Sequence, residues 1–276
     1  MGIDAGRREP PAMTSPAPSW RFSAPTSRAE LDTLLAHDAD AIILAGGQGI
    51  LPILRAGGAA GGHLVDVTRI AALRHIDLTN GTARIGATVT FTELLESEVA
   101  SFCPALTDAI AFVGTRPIRN RVTVGGSLAW AAPRAELPLI LLAVGATIRT
   151  NYRAIAADTF LRGAHATALS RGEAVLEVEF AAPNPRLRFE EVMGRNSAGR
   201  AIALVAVEAA DDRLRATVGG VVDRPVRSDW IAPTDVDAWL DRMTEAHSLL
   251  DDPLHSPGYR RALVRALIDR AAGAGP

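Results

Sequence analysis

Residues 41–50 read AIILAGGQGI, and this stretch decides the fold. Its first five residues are all apolar, the pattern of a short buried strand. The strand runs straight into Gly46, Gly47 and Gly49, three glycines within four positions. Glycine accepts positive φ and lets another group approach the backbone closely. Successive outward-facing N–H groups then make a concave anion site suited to a pyrophosphate. The stretch is not the dinucleotide fingerprint of a doubly wound sheet. Gly47-Gln48-Gly49 supplies G-x-G, but the third glycine position holds Pro52, which also interrupts the long helix that fingerprint requires. Taken alone, the cluster would equally suit an ordinary tight turn.

Upstream, residues 26–37 have the spacing of a helix, with Leu31, Leu34 and Leu35 on one face. Thr26 or Ser27 is placed to cap it, with Glu30 three positions on from Ser27 as the second half of a capping box. Downstream, strands are expected at 63–67, 82–87 and 174–180, and helices at 90–95 and 104–113. A helix followed by a strand is expected over 137–150. The run AVLEVEF at 174–180 alternates as a half-buried strand does. Pro183 and Pro185 then break the pattern. Beyond them come strands at 188–193, 201–209 and 214–222, and helices at 234–242 and 257–272. This order, mixed elements then strands then helices, is that of an α+β protein. The expected division is a tail at 1–19, a first domain at 20–183 and a second at 184–276.

A second glycine-bearing stretch, Arg119-Asn120-Arg121-Val122-Thr123-Val124-Gly125-Gly126-Ser127, lies some eighty residues after the first. Thr123 and Ser127 carry hydroxyls that can donate to phosphate or ring oxygens. Two such segments, remote in sequence, suit one extended ligand held at two places.

Composition removes several classes. The 276 residues carry a net charge of −2, so no basic surplus exists to bind nucleic acid. The single cysteine, Cys103, can form neither an internal disulfide nor a four-cysteine cluster. The six histidines are scattered without a His-x-x-x-His pair, so no metal site is expected in this chain. No apolar run reaches the ~18 residues of a membrane span. Residues 1–19 are rich in Pro, Ala and Ser, and the Arg7-Arg8 pair is not followed by an apolar stretch, so the tail reads as disordered and the expected location is cytoplasmic.

At the two glycine stretches the chain resembles the FAD-binding medium subunits of molybdenum hydroxylases of the carbon monoxide dehydrogenase and xanthine dehydrogenase type. The resemblance is carried by the first stretch with Leu51-Pro52, then by His63-Leu64-Val65-Asp66-Val67 and Arg84-Ile85-Gly86-Ala87. It continues through Thr123-Val124-Gly125-Gly126-Ser127, Gly172-Glu173-Ala174-Val175-Leu176, and Val218-Gly219-Gly220-Val221 with Arg224-Pro225-Val226-Arg227. It implies a two-subdomain FAD-binding domain of the PCMH type, followed by a small domain with a three-stranded antiparallel sheet and helices. It also implies non-covalent FAD, since covalent-flavin proteins of the wider superfamily often place His where this chain has Gln48. Leu44, Ala45, Gly46, Gly47, Gln48, Gly49 and Ile50, with Thr123, Val124, Gly125, Gly126 and Ser127, are then the expected holders of the pyrophosphate. Val113, Glu136, Val175 and Leu176 fall where the family contacts the cofactor.

No catalytic acid or base is expected in this chain. The implied partners are a large molybdopterin-binding subunit and a small iron–sulfur subunit, with NAD, a quinone or oxygen as final electron acceptor. The sequence departs from the family pattern in four places. Gly49 stands for the usual Ser, Val122 for a common Gly, Glu136 for the usual Asp, and Glu191 where many relatives carry Lys. A carboxylate at 191 would oppose negative charge on a reduced flavin. These departures keep two alternatives in view: a scaffold subunit that has lost FAD, and a stand-alone non-covalent flavin oxidase.

Overall fold

The computed structural model describes residues 19–58, 61–194 and 200–273. Its first unit is a parallel sheet of β1 (Ser19–Ser23), β2 (Ile42–Leu44) and β3 (Gly61–Asp66), in the order β1-β3-β2. Helix α1 (Arg28–His37) links β1 to β2, and the short α2 (Ile50–Arg55) leads out of the first glycine stretch. Leu31 and Leu35 of α1 close a small core with Val65, Val67, Ile70 and Leu176.

Three expectations change here. The tail expected at 1–19 lies outside the described residues except for Ser19, which pairs with Gly61 as the first residue of β1. The capping box is displaced by one position. Ser27 accepts from the Glu30 amide, but the Glu30 carboxylate accepts from the amide of Thr26. The strand expected as buried at 41–45 is shorter and only half-buried, because β2 is an edge strand with β3 between it and β1.

The second unit is an antiparallel sheet of β4 (Ile76–Thr79), β5 (Thr82–Gly86), β6 (Thr147–Thr150), β7 (Ala154–Ala156) and β10 (Val175–Ala181). Its order is β4-β5-β10-β6-β7. Between β7 and β10 lie α9 (Ala157–Phe160) and the hairpin β8 (Leu161–Gly163) and β9 (Ala166–Thr167). Helices α3 (Phe91–Leu95), α4 (Val99–Phe102), α5 (Pro104–Ala111), α6 (Arg116–Arg119), α7 (Val124–Trp130) and α8 (Glu136–Ala143) fill the connection from β5 to β6. Every residue of α8 is buried. A helix that is apolar all round must be covered all round. Each of its buried Leu and Ile side chains stabilises the fold by ~1.5–3 kcal/mol.

What covers α8 from the far side is the third unit. β11 (Leu187–Met193), β12 (Ala201–Ala209), β13 (Leu214–Gly219) and β14 (Val226–Arg227) form an antiparallel sheet in chain order. It has one strand more than the three expected. β14 is two residues long, too short to show in the hydrophobic pattern, and exists only through its pairing with Thr217 and Val218. β12 is buried from Ala201 to Glu208 because both faces of the sheet are covered. Leu204 and Ala206 point to the core that contains α5 and α8, while Ala203, Val205 and Val207 meet α10 (Val236–Ala246) and α11 (Pro257–Gly273). One apolar core therefore runs from the second unit into the third without interruption at residue 184.

Candidate functional site

The first glycine stretch leaves the end of β2 and at once meets the second. A β-carbon built on Gly46 would lie 1.8 Å from the carbonyl oxygen of Arg121 and 3.2 Å from the Val122 Cα. Only glycine permits this approach. Gly47 takes φ +74°, and its carbonyl accepts from the Leu51 amide at 3.1 Å. Gln48 turns its side chain back, donating from Nε2 to the Gly46 carbonyl at 3.2 Å. The amides of Gly46, Gly47, Gln48, Gly49 and Ile50 find no acceptor among the described residues. Gly46 is itself buried. A buried donor left without an acceptor costs ~1–3 kcal/mol, a cost that a bound anion removes.

The second stretch has a different character from the one its sequence suggests. Thr123-Val124-Gly125-Gly126-Ser127 is not a loop but the cap and first turn of α7. Adjacent glycines weaken a helix, so the sequence hides it. Thr123 restores it by accepting from the Gly126 amide through Oγ1 at 3.2 Å. The remaining amides point inward. Val124 donates to the Val89 carbonyl at 3.0 Å, Gly125 to the Ala87 carbonyl at 2.8 Å and Ser127 to the Thr123 carbonyl at 2.9 Å. Gly125 is glycine for packing, since a β-carbon there would meet the Ala87 Cβ at 2.6 Å. The consecutive run of unpaired backbone donors thus belongs to the first stretch. The second contributes the half-buried Ser127 hydroxyl, which has no protein partner among the described residues, and a firm wall behind Gly46.

Val175 and Leu176 join this group through Ala87. The Leu176 carbonyl accepts from the Ala87 amide at 2.8 Å, and the Ala87 carbonyl accepts from Gly125. Leu176 also shares a core with Ala45. Glu173, two residues before Val175, fixes this end of β10. Its fully buried side chain accepts from the Thr150 hydroxyl at 2.7 Å, the Ser170 amide at 2.8 Å and the Arg153 guanidinium at 3.0 Å. Burial works to raise its carboxyl, but these bonds prevail and hold it down at about 2.

Val113 and Glu136 stand apart. Val113 lies just past the end of α5 and packs on the main core, with its carbonyl accepting from Arg119. Glu136 opens α8, buried, and neither residue has a hydrogen bond to the first stretch among the described residues. Glu191 pairs in register with Leu204, so its side chain shares the face that packs on α8. Both Glu191 carboxyl oxygens are buried without a partner. Burial pushes the Glu191 carboxyl up to about 7. Burial, then the nearby Glu191 carboxyl, push Glu136 up to about 7 as well. The negative charge anticipated at 191 is therefore neutralised by a proton below about pH 7. Sequence reasoning missed this pair, which depends on strand register.

The residues present fit a diphosphate-bearing cofactor. A run of free amides lines a turn whose shape is set by backbone contacts that no side chain could tolerate. Residues 18–183 match the family model described as the FAD binding domain in molybdopterin dehydrogenase. The chain is similar to the nicotine 6-hydroxylase medium subunit of Paenarthrobacter nicotinovorans, at 29% identity over 92% of this chain and 96% of that protein. It is 30% identical to subunit alpha of the 6-hydroxypseudooxynicotine dehydrogenase complex of the same organism, over 92% of this chain and 93% of that one. Among solved structures it resembles carbon monoxide dehydrogenase from Hydrogenophaga pseudoflava. There the TM-score is 0.82 at 26% identity, covering 94% of this chain and 99% of that one.

Proposed function

The chain belongs to the family of FAD-binding domains in molybdopterin dehydrogenases, as a medium subunit, and from that premise we propose that it is the electron-transfer flavin subunit of a cytoplasmic molybdenum-dependent dehydrogenase. Substrate oxidation takes place on a large molybdopterin-binding partner. A small iron–sulfur partner delivers electrons to this chain, and NAD, a quinone or oxygen receives them. FAD, held without a covalent link, supplies the redox chemistry. The protein's own residues bind and orient it. In this reading residues 20–183 form the cofactor domain and 184–276 the second domain that covers α8.

The observation that carries the reading is the unpaired run of amides from Gly46 to Ile50, held open by the contact of Gly46 with Arg121. These amides take the diphosphate, with Ser127 adding a hydroxyl. Leu44 and Ala45 deliver the loop from β2, Thr123 to Gly126 form the wall behind it, and Val175 and Leu176 border the flavin ring. Val113 and Glu136 belong to the outer part of the site. Purification with both partners should give a yellow complex with one FAD per copy of this chain. A colourless complex that binds no added FAD would replace this reading with that of a scaffold subunit. Substrate oxidation by the isolated chain would replace it with that of an oxidase.

A further inference from the structure

Gly49 stands where the family pattern has Ser, and the structure shows what fills the space. A β-carbon on Gly49 would lie 2.8 Å from Cδ2, 3.0 Å from Cε3 and 3.1 Å from Cε2 of Trp130. The indole is seated directly against the turn of the first glycine stretch. It is also braced from behind. His165 meets it edge-on, with ring centroids 4.8 Å apart and planes at 64°. The His165 ring nitrogen Nδ1 lies 2.9 Å from the Trp130 carbonyl, and the His165 amide donates to Ala131 at 2.9 Å. His165 and Ala131 hold φ of +55° and +43°. Such backbone is costly for residues with a side chain and persists where the surroundings enforce it. The β8-β9 hairpin that carries His165 thus serves to fix one aromatic ring at the mouth of the free amides. The indole Nε1 has no acceptor among the described residues.

We propose that Trp130 is a binding residue of the FAD site, its indole standing in for the side chain missing at position 49, locking the turn of the first glycine stretch and adding one N–H donor beside the amides. This rests on the placement of the FAD diphosphate at that stretch. Residues 49 and 130 then form an exchangeable pair. The site takes glycine with an indole, or a hydroxyl side chain with a small neighbour, but not two large groups.

The test titrates FAD into the full-length chain stripped of flavin, following flavin and tryptophan fluorescence, with melting temperatures as a check on folding. Trp130→Ala should weaken FAD about tenfold, the loss of one hydrogen bond to a charged group together with a looser turn. Trp130→Phe keeps the wall without the N–H and should weaken it about threefold. Gly49→Ser alone should weaken FAD at least about tenfold, because its side chain meets the indole. The double variant Gly49→Ser with Trp130→Ala should return to within about threefold of the wild type, a non-additivity expected only of contacting residues. FAD should quench the emission that Trp130→Phe removes. Unchanged affinity in Trp130→Ala, or a double variant no better than Gly49→Ser, would overturn the proposal while leaving the flavin reading intact. Absence of FAD binding by the wild-type chain would overturn both.

Discussion

Gly46 has no room for a side chain. With the Arg121 carbonyl oxygen 1.8 Å from where a β-carbon would be, Gly46→Ala must push the two stretches apart. The expected outcome is a chain purified with less than about one-tenth of its FAD, since the loop loses the shape that aligns its amides. Flavin absorbance per chain checks this, and full occupancy would contradict it. The glycines themselves were legible in the sequence, because a triplet after an apolar strand has few uses. The Glu136–Glu191 pair was not, because it arises from the register of β11 on β12 and the packing of α8, neither of which leaves a local pattern. Both carboxyls are raised from 4.5 to about 7. The stability they permit is thus complete below pH 4.5, when both are protonated in either state, and is lost as pH rises through about 7. Glu191→Gln should leave the melting temperature unchanged near pH 4.5 and raise it by about 3 °C at pH 8. An equal effect at both pH values would show that the pair does not titrate.

Elements show how far the pattern of residues reaches. α1, α5 and β10 were legible through their periodicity, and α8 and β12 as continuous apolar runs. α7 was not, since Gly125 and Gly126 argue against a helix and only the Thr123 cap and the burial of Val124 and Leu128 overcome them. β14 and the β8-β9 hairpin are too short to carry a pattern and owe their existence to pairing partners. The Glu173 clamp joins the turn at 150–153 to the start of β10. Its carboxyl, held at about 2, stabilises the fold above pH 4.5, and that contribution fades as pH falls toward 2. Glu173→Gln should lower the melting temperature at pH 7 by about 5 °C, with a smaller difference below pH 3. Thermal melts at the two pH values check it, and a pH-independent loss would assign the effect to packing instead of charge.

For the whole molecule, the sequence suggested a break at Pro183 and Pro185, but the core does not break there. Leu187, Phe189, Leu204 and Ala206 pack into the same cluster as Leu139 and Ile140. Polar contacts bind the same seam: Arg134 pairs with Asp252, and Arg227 donates to the carbonyls of Leu142 and Ala143. A proline-rich linker is visible in composition, whereas the apolar face it brings together is distributed over distant residues. The flavin-free chain should therefore unfold in one calorimetric transition, and two separated transitions would show that the parts are independent. The central claim, that the amides from Gly46 to Ile50 hold the FAD diphosphate, is tested most directly by amide hydrogen exchange with and without FAD. The account predicts strong protection of residues 46–50 on binding, with little change at Val124 and Gly125, whose amides are already paired. FAD binding with exchange at 46–50 unaltered would contradict it.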